Sequence, residues 1–133
     1  ARAAARRIGG RAVVVASGET TVRVHGPGAG GRNQEFALGA AIELDRTQSP
    51  ITDHRSSMAV AALGTDGVDG NSTAAGAIAD ETTIARAAAA GLDPRAALRN
   101  NDANTCFGAI GDLIVTGPTG TNVGDVFVAM IDA

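Results

Sequence analysis

The clearest chemistry in the chain lies in an arginine that closes a glycine-rich stretch, Gly26-Pro27-Gly28-Ala29-Gly30-Gly31-Arg32-Asn33-Gln34-Glu35. Glycines let a backbone approach a ligand closely, and free N–H groups at a helix start attract anions. A guanidinium adds a permanent charge and a fork of donors matched to phosphate or carboxylate. Arginine is unfavourable beside the positive end of a helix, so Arg32 points to a bound anion or a nearby carboxylate. The same residues also read as a plain hairpin exit with a solvated arginine, and spacing alone does not separate the two.

Two further glycine-rich loops carry complementary groups. Gly64-Thr65-Asp66-Gly67-Val68-Asp69-Gly70-Asn71-Ser72 offers the carboxylates of Asp66 and Asp69. It lacks the remaining ligand spacing and terminal Glu of an EF-hand, and Asp-Gly pairs are ordinary turn formers. Gly117 to Asp125 offers Thr119, Thr121 and Asn122, whose side chains also suit local turn bonding. Cation, carboxylates and hydroxyl or amide groups together suit a small phosphorylated or carboxylated molecule. Cys106, near Phe107 and Ile110 on an expected helix, reads as a buried inert thiol. His25 and His54 lie too far apart for an obvious metal motif, and the metal ligands are unknown. No serine stands in a nucleophile elbow, and residues 26–31 do not complete a dinucleotide fingerprint.

The elements that must position these loops follow from apolar patterning. Arg11–Ala16 is a β-branched run, and Thr20–His25 alternates as a strand that would pair with it in a hairpin. Asn33–Leu44 has helical spacing, and Thr47–Ser56, with Pro50, reads as a mobile loop. Met58–Leu63 is a buried strand, Ala74–Ile78 a helical turn, and a helix from Asp80, its N-cap candidate, runs to Ala90 and stops at Gly91. Pro94–Arg99 and Ala103–Ile110, the latter with Asp102 as cap, are short helices. Asp112–Thr116 and Val126–Ile131 are strands. The expected fold is a single α/β domain with a mixed β-sheet of about five strands flanked by helices. In an open sheet of this kind, loops at strand ends gather around ligands.

Composition narrows the function. With 133 residues, 44% hydrophobic and 19% charged, the chain is long enough for one domain with a real core. Three Phe, no Trp and no Tyr argue against base-stacking on single strands, and a net charge of −3 argues against a general polyanion surface. No nucleic acid and no membrane partner is expected. All 11 basic residues are arginine, which excludes a Schiff-base or P-loop lysine in this chain. A single cysteine makes a reducing cytoplasm the default location. The Ala/Arg-rich opening, without an initiating Met, reads as the end of an upstream helix or linker over residues 1–10, with the domain over 11–133.

Four motifs in order, Ser17-Gly18-Glu19-Thr20-Thr21, Gly30-Gly31-Arg32-Asn33-Gln34-Glu35-Phe36, Gly64 to Gly70 and Thr116 to Val123, closely resemble the MOFRL domain. That is the C-terminal domain of the glycerate 2-kinase family, whose members are often labelled hydroxypyruvate reductases. The similarity runs from about residue 8 to 131. Ala16 stands where a second glycine is common, and Gly124 where Asn is frequent. The resemblance implies ATP- and Mg²⁺-dependent phosphorylation of D-glycerate to 2-phosphoglycerate in a cleft between this domain and a larger N-terminal kinase domain. It makes Arg32 the catalytic cation, and places Gly30, Gly31, Asn33, Glu35, Asp66, Asp69, Thr119, Thr121 and Asn122 along the substrate and phosphate side. ATP, Mg²⁺ and the assisting lysine would be held mainly by the N-terminal domain, so the chain alone would be inactive. Homo-oligomerisation is open. NAD(P)H-dependent hydroxypyruvate reduction and a stand-alone, non-catalytic module that binds small anions are the alternatives.

Overall fold

The computed structural model describes residues 10–47 and 57–132. The expected opening helix, and Pro50 and His54 of the expected mobile loop, fall outside these residues. Nine elements follow in order: β1 (Ala12–Gly18), α1 (Arg32–Thr47), β2 (Ser57–Gly64), β3 (Gly76–Ala79), α2 (Thr83–Ala89), α3 (Pro94–Arg99), α4 (Ala103–Ile110), β4 (Leu113–Ile114) and β5 (Asp125–Asp132). They form a single α/β domain with a five-stranded sheet ordered β1-β5-β2-β3-β4.

Every described pairing is antiparallel, so the sheet is not mixed. The expected hairpin is absent: β1 pairs with β5 at the far end of the chain, and residues 20–25 form no strand. A buried asparagine explains the diversion. Asn101 Oδ1 accepts from the backbone N–H groups of His25 at 2.6 Å and Gly26 at 2.9 Å, and its Nδ2 donates to Arg23 O at 3.1 Å. Residues 23–26 are thereby tied to the turn between α3 and α4 instead of to β1. The expected helical turn at Ala74–Ile78 is strand β3. Alanine's helix preference yields there to packing, because Ala77 and Ala79 face the core while Ile78 faces away, and at Gly76 a Cβ would collide with Ala62 O.

The remaining helices follow their sequence signals. Asp93 caps α3, its carboxylate accepting from Arg95 N and Ala96 N with Pro94 in the first turn. Gly91, with φ +78°, follows α2, and Gly111, with φ +79°, caps α4. Thr82, not Asp80, holds the α2 N-cap position, because Asp80 folds its carboxylate back on Thr82 N and Oγ1. Asp102 holds the α4 N-cap position without capping it, and bonds Ala29 N and Thr105 Oγ1 instead.

The core lies on one face of the sheet. Leu38, Ala37 and Ala41 of α1 meet Ala77 and Ala79 of β3 and Phe107, Cys106 and Ala103 of α4, all buried. Phe36 of α1 packs on Phe127 of β5 with ring centroids 4.7 Å apart. Small residues let helices and sheet approach closely, which suits a chain with so few aromatics. Burial, then the Asp102 charge, pushes the Cys106 thiol up, as an inert core cysteine requires.

Candidate functional site

The site forms where β1 and β2 end, β5 begins and α1 starts. Gly18, Asp125 and Gly64 are cross-strand neighbours at that edge. The glycine-rich loop is laid across the turn between α3 and α4: Gly28 N donates to Asn100 O at 3.0 Å, and Asn104 N donates to Ala29 O at 2.9 Å. The second loop clasps the first through Asn71, whose Oδ1 accepts from Gly30 N at 2.8 Å and whose Nδ2 donates to Gly28 O at 3.2 Å. The third loop joins the second, with Thr119 N donating to Asp66 O at 3.1 Å and Val123 N to Thr65 Oγ1 at 2.8 Å. All three loops therefore converge.

The start of α1 does not stand open for an external anion. Asp69, almost fully buried, fills it: its carboxylate accepts from Asn33 N at 3.1 Å, Gln34 N at 2.9 Å, Gln34 Nε2 at 3.0 Å and Asn33 Nδ2 at 3.2 Å. The internal carboxylate thus occupies the helix dipole's positive end. Gly31 must lack a side chain here, because a Cβ would strike that carboxylate. Asn33 Oδ1 is buried with no hydrogen-bond partner among the described residues.

Arg32 is held by carboxylates on two sides. Its Nε and Nη2 donate to Asp125 Oδ2 at 2.6 Å and Oδ1 at 3.0 Å, a forked pair, and Nη1 lies 3.1 Å from Glu19 Oε1. The guanidinium hydrogen bond to Asp125 raises the Arg32 pKa against the opposing effect of burial. Burial would push the Asp125 carboxyl up, but hydrogen bonds from Arg32 and Asn33 outweigh it and hold that carboxyl below the usual carboxylate range. A guanidinium carries five N–H donors, so this arrangement leaves two directed elsewhere.

A cleft of about 450 Å³ opens beside Arg32, and Gly30, Gly31, Asn33, Glu35, Asp66 and Asp69 share its lining. Glu35 is braced by Asn101 Nδ2 at 2.6 Å. Asp66 makes a turn bond with Val68 N at 3.1 Å. Thr119, Thr121 and Asn122 are exposed and are not part of the cleft lining; Asn122 reaches it only through Asp66 Oδ2 at 3.5 Å. His25 is exposed at the loop's start. Sequence reasoning missed Asp125, Asn71 and Asn101. For Asp125 the signal was present: an acid that opens an otherwise apolar strand needs a partner when buried.

The residues present do not by themselves fit a metal or nucleotide site. No group of three or more His, Cys, Asp or Glu is placed to hold a metal among the described residues. The α1 N-terminus is already filled, and the chain has no lysine. No helix among the described residues is long and apolar enough to cross a membrane.

An α/β domain whose convergent loops present a clamped arginine is a class many proteins share. The comparisons narrow it. The MOFRL family profile matches residues 12–125, and the chain belongs to that family. It is 44% identical over 120 residues to the D-glycerate 2-kinase of Thermotoga maritima, covering 90% of this chain and 27% of that protein. It is 41% identical to the glycerate kinase of Danio rerio, covering 92% of this chain and 24% of that protein. The crystal structure of the Thermotoga maritima glycerate kinase superposes with a TM-score of 0.81 at 43% identity over 90% of this chain and 27% of that one. The chain thus spans about a quarter of the length of these relatives.

Proposed function

We propose that the chain forms one wall of the active-site cleft of an ATP-dependent glycerate 2-kinase, which converts D-glycerate to 2-phosphoglycerate with Mg²⁺. The observation that carries this reading is the clamped Arg32 at the cleft, within a stretch matched to glycerate kinases. Phosphoryl transfer is driven mainly by positioning and charge stabilisation. Arg32 serves as the catalytic cation, directing its remaining N–H donors at the substrate carboxylate or the transferred phosphoryl group. Asp125 and Asp69 position it, the first by gripping the guanidinium and the second by anchoring the first turn of α1. Gly30 and Gly31 let the loop pack closely on the start of α4 and on Asp69, which sets where Arg32 leaves the wall.

Carboxylates outnumber the cation on this wall, with Glu19, Glu35, Asp66, Asp69 and Asp125 around Arg32. An anionic substrate beside it needs positive charge from the opposite side. The family resemblance supplies that charge from the larger N-terminal part, together with ATP and Mg²⁺, and this chain alone is inactive. The protein works in the cytoplasm.

The test is a chimera in which this chain replaces the matching quarter of the Thermotoga maritima enzyme. It is expected to form 2-phosphoglycerate from D-glycerate and ATP, and Arg32→Ala is expected to lower kcat about 100-fold or more in a chimera that is less stable, because Asp125 loses its partner, yet still folded at the assay temperature. A folded chimera without turnover overturns the kinase reading, and near-normal kinetics in Arg32→Ala removes that residue from the site.

A further inference from the structure

Among the described residues, helices cover one face of the sheet over β2, β3 and β5 and none covers the other, which is apolar; edge strand β1 is exposed along its length. In antiparallel sheets with a solvated face, polar residues alternate outward. Here they do not. The strand registers place Val15, Val128, Ala61 and Ile78 in one row and Val13, Met130 and Ala59 in the next, all on the face away from α1. Val13, Val15, Ile78 and Met130 are 63%, 67%, 47% and 59% exposed. Charges are confined to one end of this face, where Arg11 and Asp132 pair across 3.0 Å and Asp80 and Glu81 share a cavity with Ala59 and Met130.

We propose that this bare face is the seat of an apolar helix supplied by the polypeptide that glycerate kinase relatives carry outside the matched quarter. The relief of the face selects a helix. Central strand β2 presents only Ala59 and Ala61 along its middle, between Val128 and Met130 of β5 on one side and Ile78 of β3 on the other. The result is a shallow trough running along β2. A helix is convex and beds in such a trough at the usual spacing of about 10 Å between packed layers. A second copy of this chain presents the same trough, and trough against trough leaves a void that close packing disfavours. The required chemistry is a stripe of aliphatic side chains, because the middle of the face, Val15, Val128, Ala61 and Ile78, offers no partner for a charge. The relatives have the chain to provide it, since the matched region is 27% of the Thermotoga maritima protein. This seat lies on the back of the sheet, apart from the cleft at its loop end, and its argument is independent of catalysis.

The experiment compares two variants in two settings, the 133-residue chain and the Thermotoga maritima chimera. Ile78→Lys places a charge on the face, and Ala61→Leu fills the trough while remaining apolar, so its folding is not in question. Both are expected to leave the melting temperature of the isolated chain unchanged, because the face is open there, and to lower that of the chimera by about 5 °C or more. Equal effects in both settings, or none in the chimera, overturn the proposal. So does a dimer of the isolated chain in sedimentation that either variant converts to monomer, which would make a second copy the occupant. Turnover read on the same chimeras separates this proposal from the kinase reading: Arg32→Ala lowers kcat and destabilises both settings alike, since its partner Asp125 lies within this chain, and a chimera that is inactive yet selectively destabilised by Ile78→Lys keeps the docking seat and discards the kinase.

Discussion

At the scale of single residues, Arg32 owes its behaviour to Asp125. The carboxylate is fully buried and the guanidinium about one third exposed, so the pair is anchored on its acidic side. Removing the guanidinium would leave a buried charge held by Asn33 and the Thr20 backbone without a counter-charge, while removing the carboxylate frees the arginine to swing. Losing one partner of such a pair costs on the order of 3 kcal/mol, and Asp125→Ala is expected to lower stability by about that much in chemical denaturation. The pair also sets an acid limb. The Asp125 pKa is lower in the folded state than in the unfolded chain, so the unfolded chain takes up a proton first as pH falls. Its stabilisation is complete above the ordinary carboxylate value of about 4 and is lost as pH falls further, through the folded pKa. Asp125→Asn is expected to flatten the stability curve below about pH 4, and an acid limb identical to that of the unsubstituted chain contradicts the assignment. Cys106, buried and with its thiol pushed up, is expected to resist thiol reagents at pH 8 until the chain unfolds; labelling at the rate of a free thiol contradicts its core placement.

At the scale of elements, Asn101 does what a hairpin was expected to do. It sits at φ 56° in the turn between α3 and α4 and fastens residues 23–26 and Glu35. Asn101→Ala removes those bonds and leaves an alanine in left-handed backbone. The expected result is a loss of about 2–4 kcal/mol and faster amide exchange at His25 and Gly26; unchanged exchange at both amides contradicts the tether. Such long-range capture is what local patterning cannot show. Residues 20–25 alternate like a strand, yet their partner lies at position 101, and β1's true partner β5 is at the far end of the chain. Elements with local signals were legible: α1 from its apolar spacing, α3 from Asp93-Pro94, and β2 and β5 from continuous apolar runs. β3 was not, because alanines on a pleated surface look like alanines on a helix. In the site, Arg32 and the second loop's carboxylates were visible as residue types. That Asp69 fills the helix start from 35 positions away and that Asp125 grips Arg32 from 93 positions away were not, since the first depends on how the β2–β3 loop packs on α1 and the second on the antiparallel closure of β5.

At the scale of the whole molecule, the described residues leave two surfaces open: an acidic cleft around one clamped arginine, and an apolar sheet face. Both fit a chain that matches a quarter of the length of its glycerate kinase relatives. The central claim is that Arg32 acts as a cation held in position by Asp125, with the opposite wall supplied from outside these residues. A double-mutant cycle in the Thermotoga maritima chimera tests it most directly, with kcat for 2-phosphoglycerate formation measured for Arg32→Ala, Asp125→Ala and the double variant. If Asp125 works through Arg32, the double variant loses no more kcat than Arg32→Ala alone. Multiplicative losses, or an Asp125→Ala chimera with undiminished kcat, contradict the account.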